Sequence, residues 1–222
     1  MSDVAMVCGA GGTLGAALVE GFLARGDRVV AVERRGDGEA TPGVLRERTD
    51  LTAPEEVEAL WERLAAAGET PRWVVNAAGG FRAGSVADSE PDEVRLTTDL
   101  NLGTAWWSCR AAARRLEPGG AIVNVAARAA LTGGSGSAAY AVAKAGVVRL
   151  TEVLAAELAE RGVRANAILP ALIDTPANRA VLPAESLERA VPAERVAGVA
   201  VFLCSDAAAA VSGAIVPVYG RA

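Results

Sequence analysis

Short apolar runs rich in valine alternate along this chain with longer segments that carry apolar residues at helical spacing. The apolar runs, which we predict to be strands, are Val4–Cys8, Arg28–Val32, Val44–Arg48 (the weakest), Trp73–Val75, Ala121–Val125, Ala165–Leu169 and Ala214–Val218. The predicted helices are Leu14–Arg25, Pro54–Ala67, Pro91–Leu116, Ala138–Arg161 and Glu194–Cys204. Strand–helix alternation with continuous apolar strands indicates a parallel sheet covered on both faces. Right-handed crossovers then favour a doubly wound α/β fold.

The chain length fits one domain with a full core, and by length alone also two small ones. All 222 residues can share one core, and no linker, repeat or low-complexity tract divides them. We therefore predict a single doubly wound domain over residues 1–222, with a parallel sheet of about seven strands. The least regular stretch, 174–192, contains three prolines and is predicted to be a mobile loop with room for one short helix.

Composition excludes several kinds of chemistry. The chain has no histidine, which removes histidine bases and histidine-bound metals, and we expect no metal site. Cys8, Cys109 and Cys204 are not spaced as a metal pair or a disulfide framework, so we expect buried reduced thiols. A formal net charge of −5 argues against a nucleic-acid partner. No apolar run is long enough for a membrane span or a signal peptide, and the protein is expected to be cytoplasmic.

A glycine-rich turn lies directly between the first predicted strand and the first predicted helix. It reads Gly9-Ala10-Gly11-Gly12-Thr13-Leu14-Gly15. Glycines let the backbone turn tightly and approach a pyrophosphate, while the helix N-terminus offers free N–H groups to the anion. The position of the turn in the first strand–turn–helix unit favours a dinucleotide site. A purely structural loop remains the alternative.

The second predicted strand is followed by charged residues that bear on the choice of cofactor. Glu33 can accept hydrogen bonds from both ribose hydroxyls and repels a 2′-phosphate, which favours NAD over NADP. Arg34 and Arg35 point the other way, because guanidinium groups bind phosphate well. The alternative is that these are solvated turn residues. We favour NAD and keep NADP open.

Tyr140 and Lys144 stand four residues apart near the start of a predicted long helix. That spacing puts both side chains on one helix face. A phenol has an ordinary pKa of about 10, which a nearby ammonium is expected to lower by stabilising the phenolate. Such a tyrosine can donate a proton to a carbonyl oxygen or remove one from an alcohol. Taken alone, the spacing also fits an ordinary surface pair.

Taken together, these motifs resemble the short-chain dehydrogenase/reductase family along the whole chain. The resemblance implies a Rossmann-type fold, an NAD(P)-dependent oxidoreductase, catalysis by Tyr140 and Lys144, and a catalytic-site role for Asn101 in the helix after the fourth strand. It implies cofactor contacts through Gly9, Gly12, Thr13, Leu14, Gly15, Glu33, Arg34, Asp50, Leu51, Asn76, Ala77, Ala78, Gly79, Pro170, Ile173 and Thr175, besides Tyr140 and Lys144. Asp50-Leu51 resembles the pair at the adenine ring, and Pro170 to Thr175 the segment at the nicotinamide carboxamide. Ser212-Gly213 precedes the last strand in the family manner.

One position departs from the family pattern. The family's catalytic serine lies thirteen residues before the tyrosine, where this chain has Ala127. Losing one such donor typically costs about 10²–10³ in rate. Ser135 and Ser137 lie near Tyr140, but a glycine-rich loop holds a donor poorly, and ordinary loop serines are the simpler interpretation.

The missing serine also resembles a subgroup of the family, the dihydropteridine reductases, which reduce a quinonoid ring. Three stretches are similar to that subgroup: Ala78-Gly79-Gly80, Ala126 to Leu131, and Leu169 to Arg179. Three functions therefore stay open: carbonyl or alcohol oxidoreduction, reduction of a quinonoid substrate, and a non-catalytic dinucleotide-binding or scaffolding role.

The sequence says less about partners. We expect substrate contacts from 174–192, 80–87 and 131–137, where Phe81 and Arg82 either mark a pocket or belong to an ordinary loop. The two longest predicted helices carry surplus apolar residues, Trp106 and Trp107 included. Self-association through them is expected, and the resemblance implies a homodimer or homotetramer.

Overall fold

A seven-stranded parallel sheet forms the centre of the computed structural model, which describes residues 2–34, 40–132 and 135–221. The strands are β1 (Val4–Cys8), β2 (Arg28–Glu33), β3 (Val44–Arg48), β4 (Trp73–Asn76), β5 (Ala121–Val125), β6 (Arg164–Pro170), β7 (Ile173–Asp174), β8 (Val191–Pro192) and β9 (Ile215–Val218). The order in the main sheet is β3-β2-β1-β4-β5-β6-β9, and β7 pairs with β8 separately. The predicted doubly wound, Rossmann-like α/β domain is confirmed.

Eight α-helices lie among the described residues. They are α1 (Thr13–Arg25), α2 (Pro54–Ala66), α3 (Pro91–Thr98), α4 (Thr104–Arg115), α5 (Ala138–Leu158), α6 (Pro176–Val181), α7 (Ala184–Leu187) and α8 (Ala193–Leu203). Local chemistry sets several of their ends. Pro54 and Pro91 occupy first-turn positions, where a missing N–H removes no hydrogen bond. Gly26 ends α1 with φ +93°, a left-handed conformation that favours glycine.

Both faces of the sheet are buried, which explains why its strands are continuously apolar. Along β1, Met6 and Cys8 pack on the side of α2, α4 and α5, whereas Ala5 and Val7 pack on the side of α1 and α8. Successive strand residues point to opposite faces, so a helical layer on each face favours apolar residues at successive positions of the central strands.

Two predicted elements need correction. The predicted single helix Pro91–Leu116 is interrupted by a π-helical turn, Asp99–Gly103, which separates α3 from α4. The 174–192 stretch contains more regular structure than the one short helix expected: it contains α6, α7 and the ends of the β7–β8 pair. Helix α6 forms because Pro176 suits its first turn and the Thr175 hydroxyl accepts a hydrogen bond from the Asn178 N–H at 3.1 Å.

The three cysteines are free and buried, as predicted. Burial raises the pKa of the Cys8 thiol to about 11, and those of Cys109 and Cys204 to about 12. All three are therefore neutral thiols near pH 7. Within the described ranges, no cluster of three or more cysteine, aspartate or glutamate residues could hold a metal ion, and none of the helices there has the length and apolar character to cross a membrane.

The topology determines where a site can form. Because all strands of the main sheet are parallel, their carboxyl ends lie along one edge. The chain winds outward from β1 to β3 and then returns to β4 on the other side of β1, so the winding direction reverses there. Ligands of such folds typically bind at this reversal, and the segments that follow β1, β2, β4, β5 and β6 all leave the sheet at the same edge.

Candidate active site

The glycine turn between β1 and α1 combines close packing with an open anion-binding surface. Gly9 has φ +90°, and a Cβ there would lie 2.6 Å from the Ala78 backbone nitrogen. A Cβ on Gly15 would lie 2.1 Å from the Gly9 carbonyl oxygen, so helix and strand could not approach this closely with a side chain present. Gly12 and Thr13, in contrast, are exposed.

The N-terminus of α1 fits a phosphate group. No described side chain caps this helix end, and its first turn contains no acidic residue. Free N–H groups and the positive end of the helix dipole therefore face the crevice without a competing carboxylate. Thr13 and Leu14 supply these free N–H groups, whereas the Gly12 N–H donates to the Gly9 carbonyl oxygen at 3.2 Å.

The carboxyl ends of β2 and β3 carry the residues predicted for the adenosine half of a dinucleotide. Glu33 ends β2, and its Oε1 accepts a hydrogen bond from the Arg46 guanidinium at 2.8 Å. Asp50 accepts hydrogen bonds from the Thr52 hydroxyl and N–H, which lower the pKa of the Asp50 carboxyl, and Arg34 lowers it further. Leu51 is buried in the core. Arg35 lies outside the described residues.

The end of β4 and the segment that follows it, the β4 loop (residues 77–90), divide into a buried part and an open part. The Asn76 side chain lies inside the sheet and donates to the Asn124 side-chain oxygen at 2.8 Å. Asn124 in turn donates to the Thr151 hydroxyl of α5 at 2.9 Å. Asn76 thus joins two strands to α5. Ala77 and Ala78 are half-buried and lead to the exposed Gly79.

Lys144 is buried at the carboxyl end of β5. Its Nζ donates a hydrogen bond to the Val125 carbonyl oxygen at 2.8 Å. Burial lowers the pKa of the Lys144 amine from 10.5 to about 8, because desolvation penalises its charged form. A pKa of about 8 leaves the amine mostly protonated at pH 7 and close to its titration range.

Tyr140 lies one helical turn before Lys144, and the Lys144 Nζ is 5.9 Å from the centre of its ring. The Phe81 ring meets the same phenol edge-on, with the ring centres 5.2 Å apart. The pKa of the Tyr140 phenol is raised by burial, so the expected lowering is wrong for the ligand-free protein. Desolvation favours the neutral phenol, because it penalises the charged phenolate.

Asn101 sits in the π-helical turn between α3 and α4 and is buried. Its amide donates to the carbonyl oxygens of Gly80 and Thr97, both at 2.9 Å. A Cβ on Gly79 would lie 2.7 Å from the Asn101 Oδ1 and 3.3 Å from the Lys144 Nζ. Residue 79 must therefore be glycine for the amide and the amine to lie this close to the β4 loop.

The segment after β5 offers no hydroxyl at the position where the family has serine. Ala126 and Ala127 are both buried. Ser137 is the N-cap residue of α5, but its side chain makes no capping hydrogen bond. The adjacent backbone is tied to the β4 loop, because Gly84 donates to the Gly136 carbonyl and accepts from the Ala138 N–H, at 2.9 and 3.0 Å. Ser135 is exposed.

The residues after β6 lie at the same edge of the sheet. Pro170 is the last residue of β6 and is buried, and Ile173 begins β7. Thr175 caps α6 through its hydroxyl oxygen, which leaves the hydroxyl proton available for another acceptor. The Asp174 carboxylate is held by the Arg179 guanidinium through two hydrogen bonds, at 2.6 and 2.7 Å.

A cavity of about 600 Å³ lies at the opposite edge of the sheet, near the amino end of β6. Small residues line most of it, together with Arg164. The Arg164 guanidinium already donates to the carbonyl oxygens of Leu203, Ser205 and Val211. Asp206, also in the lining, pairs with Arg72. This cavity therefore lacks a free reactive group and lies away from Tyr140.

Three site features escaped the sequence analysis: the Val125 carbonyl that anchors Lys144, the Arg46 partner of Glu33, and the π-helical form of the Asn101 turn. A backbone carbonyl has no residue-type signal. The strand pairing that brings β3 beside Glu33 could have suggested Arg46, because side chains on paired parallel strands share a face at matching positions.

Comparison with known proteins gives one family. A family model described as enoyl-(acyl carrier protein) reductase matches residues 9–220. D-threitol dehydrogenase of Mycolicibacterium smegmatis is 32% identical over 231 residues, covering 95% of this chain and 89% of that protein. The structure of a short-chain type dehydrogenase/reductase from Mycobacterium ulcerans has a TM-score of 0.91 at 28% identity. The match covers 100% of this chain and 90% of that chain. A blue fluorescent protein from a metagenomic library, solved in complex with NADPH, has a TM-score of 0.89 at 26% identity. The match covers 99% of this chain and 98% of that chain.

Lys144 is the only lysine in the sequence, so its titration can be observed without assignment. In protein labelled with ¹³C-lysine, we expect the side-chain carbon signals to titrate with a midpoint of about 8, because burial disfavours the ammonium. The same protein in denaturant provides the control and should titrate near the ordinary value of 10.5. A folded-state midpoint above 10 would contradict the buried environment described here.

Proposed function

Because the chain belongs to the short-chain dehydrogenase/reductase family, we propose that it transfers hydride between a nicotinamide cofactor and its substrate by a Tyr140–Lys144 mechanism without the usual serine. At the coarser level the chain is an NAD(P)-dependent oxidoreductase acting on alcohol or carbonyl groups. One observation carries the proposal: a buried amine anchored on the end of β5 lies 5.9 Å from the ring of a phenol, at the edge that also carries the glycine turn.

The residues along this edge fit a nicotinamide dinucleotide. Gly12, Thr13 and Leu14 would bind the pyrophosphate, while Gly9 and Gly15 let the turn approach it. Glu33 and Arg34 would face the adenosine ribose, Asp50 and Leu51 the adenine, and Asn76 would support the sheet beneath. Ala77, Ala78, Gly79, Pro170, Ile173 and Thr175 would border the nicotinamide. The bound cofactor supplies or accepts the hydride. Glu33 favours NAD, since a carboxylate accepts ribose hydroxyls and repels a 2′-phosphate.

Tyr140 is the proposed acid/base. Because burial raises its pKa, the phenol is protonated at neutral pH, which is the form that donates a proton to a carbonyl oxygen during reduction. Alcohol oxidation needs the phenolate, which the Lys144 ammonium and a positively charged oxidised nicotinamide would stabilise. The ligand-free site therefore holds the phenol in the protonation state that reduction requires.

Asn101 and Lys144 are proposed to carry the proton onward. Both lie against Gly79, and Lys144 has a pKa of about 8, close enough to neutrality to release and recover a proton. The Asn101 amide is fixed by Gly80 and Thr97, so its oxygen is held on the same side of Gly79 as the amine. We assign Asn101 to the catalytic group on this arrangement.

The substrate would be enclosed by three segments: 80–87, the described part of 131–137, and the loop 174–192. Phe81, in the first of these segments, packs its ring edge-on against Tyr140, and 65% of Phe81 is exposed. A second candidate function, reduction of a quinonoid ring, is favoured by the exposed Phe81 ring, on which a flat ring could stack, and by Ala127. A conjugated ring needs less help from an oxyanion donor than a simple ketone does, because its own π system spreads the developing charge.

Tyr140→Phe tests the proposed acid/base. The variant should lose at least about 10³-fold in kcat for NAD(P)H-dependent reduction while binding NADH normally, because only the phenolic hydroxyl is removed. Tyr219→Phe, at the second of two tyrosines, is the matched control and should keep its activity. Near-normal turnover by Tyr140→Phe would refute the assignment. NADH binding by the unmodified protein without turnover of any ketone, diketone or quinonoid dihydropterin would instead indicate the non-catalytic role.

Ala127→Ser separates the two substrate classes. If the substrate is a simple ketone, the new hydroxyl should raise kcat by about tenfold or more, because it restores a donor to the substrate oxygen. Ala126→Ser, at the neighbouring buried position, controls for the introduction of a hydroxyl as such. No gain with ketones, together with turnover of a quinonoid dihydropterin by the unmodified protein, would favour the quinonoid function.

We also propose that the protein is a homodimer or homotetramer assembled through α4 and α5. Trp106 is 48% exposed on α4, and Val142 and Val153 are 73% and 43% exposed on α5. Exposed apolar residues of this size on neighbouring helices favour a protein partner over solvent. Light scattering at micromolar concentration should give a dimer or tetramer, and Trp106→Glu should weaken it. A monomeric mass for the unmodified protein would rule the proposal out.

A further inference from the structure

Glu33 does not stand alone at the end of β2. Its Oε1 forms an ion pair with the Arg46 guanidinium of β3 at 2.8 Å. The two side chains are only 12% and 28% exposed, so water screens this pair less than it screens a surface pair. Glu33, the residue expected to bind the ribose hydroxyls, is thus itself held by Arg46.

Strand register explains how Arg46 reaches Glu33. In the parallel β2–β3 pair, Ala31 lies opposite Arg46 and Glu33 lies opposite Arg48. Side chains two residues apart on a strand share a face, so Glu33, Arg46 and Arg48 all lie on the same face of the sheet. Arg46 must therefore extend along β3 by about two residues, roughly 6.6 Å, which the long arginine side chain can span. Among the described side chains, Arg48 forms no ion pair with Glu33 although it lies directly opposite.

The second carboxylate oxygen faces the glycine turn. A Cβ placed on Gly11 would lie 2.7 Å from the Glu33 Oε2. The turn is therefore in van der Waals reach of one oxygen while the guanidinium holds the other. The carboxylate is fixed at the border between β2 and the turn, where a dinucleotide whose pyrophosphate lies on α1 has its adenosine ribose.

We propose that Arg46 is a positioning residue for cofactor selection: it holds the Glu33 carboxylate so that the ribose 2′- and 3′-hydroxyls meet a preorganised acceptor, and the chain thereby discriminates against a 2′-phosphate. The inference rests on the proposed role of Glu33. An unheld glutamate loses side-chain freedom when it orders on a ligand, and the ion pair removes that cost before binding. Holding the carboxylate at the ribose also keeps its negative charge where a 2′-phosphate would lie.

The opposite role for Arg46 makes the opposite prediction. If Arg46 served to cancel the Glu33 charge and admit a phosphate, its removal would increase the preference for NADH. If Arg46 positions Glu33, its removal decreases that preference. The sign of the change therefore distinguishes the two roles.

The test measures binding and needs no turnover. Isothermal titration calorimetry of the ligand-free protein gives its affinities for NADH and NADPH, and for the fragments 5′-AMP and 2′,5′-ADP. Within each pair, the ratio of the two affinities measures the effect of the 2′-phosphate. We expect Arg46→Gln to lower the NADH:NADPH affinity ratio about tenfold, mainly by weakening NADH, since one charge-assisted hydrogen bond no longer fixes the acceptor. The adenosine fragments should show the same change.

Matched variants isolate the contact from general electrostatics and from folding. Arg48→Gln removes the same charge from the same strand without touching Glu33, and should leave the ratio nearly unchanged. Arg46→Lys keeps a charged donor at this position, so its NADH:NADPH affinity ratio should lie between those of Arg46→Gln and the unmodified protein. In a Glu33→Gln background, Arg46→Gln should no longer weaken NADH, because Arg46 acts through Glu33. Thermal unfolding checks that each variant is folded.

An unchanged or increased ratio in folded Arg46→Gln overturns the proposal, as does an equal effect of Arg48→Gln. Failure of the catalytic assignment would look different. Loss of the Tyr140 role would show in turnover while these affinities stayed intact, whereas loss of the Arg46 role would show in affinities while the Tyr140→Phe result stood.

Discussion

The proposed chemistry depends on one hydrogen bond, from the Lys144 ammonium to the Val125 carbonyl oxygen. An amine this deeply buried needs an acceptor, because removing an ammonium from water without one is strongly unfavourable. The carbonyl at the end of β5 provides it. The bond fixes the amine at the carboxyl edge of the sheet, beside Asn101, Gly79 and the face of α5 that carries Tyr140.

A buried polar chain keeps α5 in the position that this bond requires. Asn76 of β4 donates to Asn124 of β5, and Asn124 donates to Thr151 of α5. Thr151 completes the chain by donating to the Val147 carbonyl, one turn earlier on the helix. Amide side chains inside an apolar core are costly unless they are paired, so the chain specifies one register of α5 against the sheet. That register places Lys144 at the end of β5.

Much of this architecture could be predicted from the sequence because it follows from periodicity. Continuous apolar strands indicated a sheet buried on both faces, and the four-residue spacing predicted that Tyr140 and Lys144 share a helix face. Periodicity does not show how deeply a side chain is buried. The spacing gave the proximity of the phenol and the amine but not their burial, and burial reverses the direction of the Tyr140 pKa shift. Periodicity also could not distinguish the π-helical turn around Asn101 from a continuous α-helix, because one wider turn barely changes the helical pattern. The short helices α6 and α7 depend on individual caps and prolines that a loop composition conceals.

The central claim is that a half-buried phenol and a buried amine act together once the positively charged oxidised nicotinamide binds beside them. It is tested most directly by the phenolate absorbance of Tyr140, followed against pH in a Tyr219→Phe variant so that Tyr140 is the only tyrosine. Without dinucleotide, the Tyr140 pKa should lie above its ordinary value of 10.0, because burial favours the neutral phenol. With saturating NAD⁺ it should fall, because the positively charged nicotinamide ring stabilises the phenolate. A titration midpoint that NAD⁺ leaves unchanged would contradict the account.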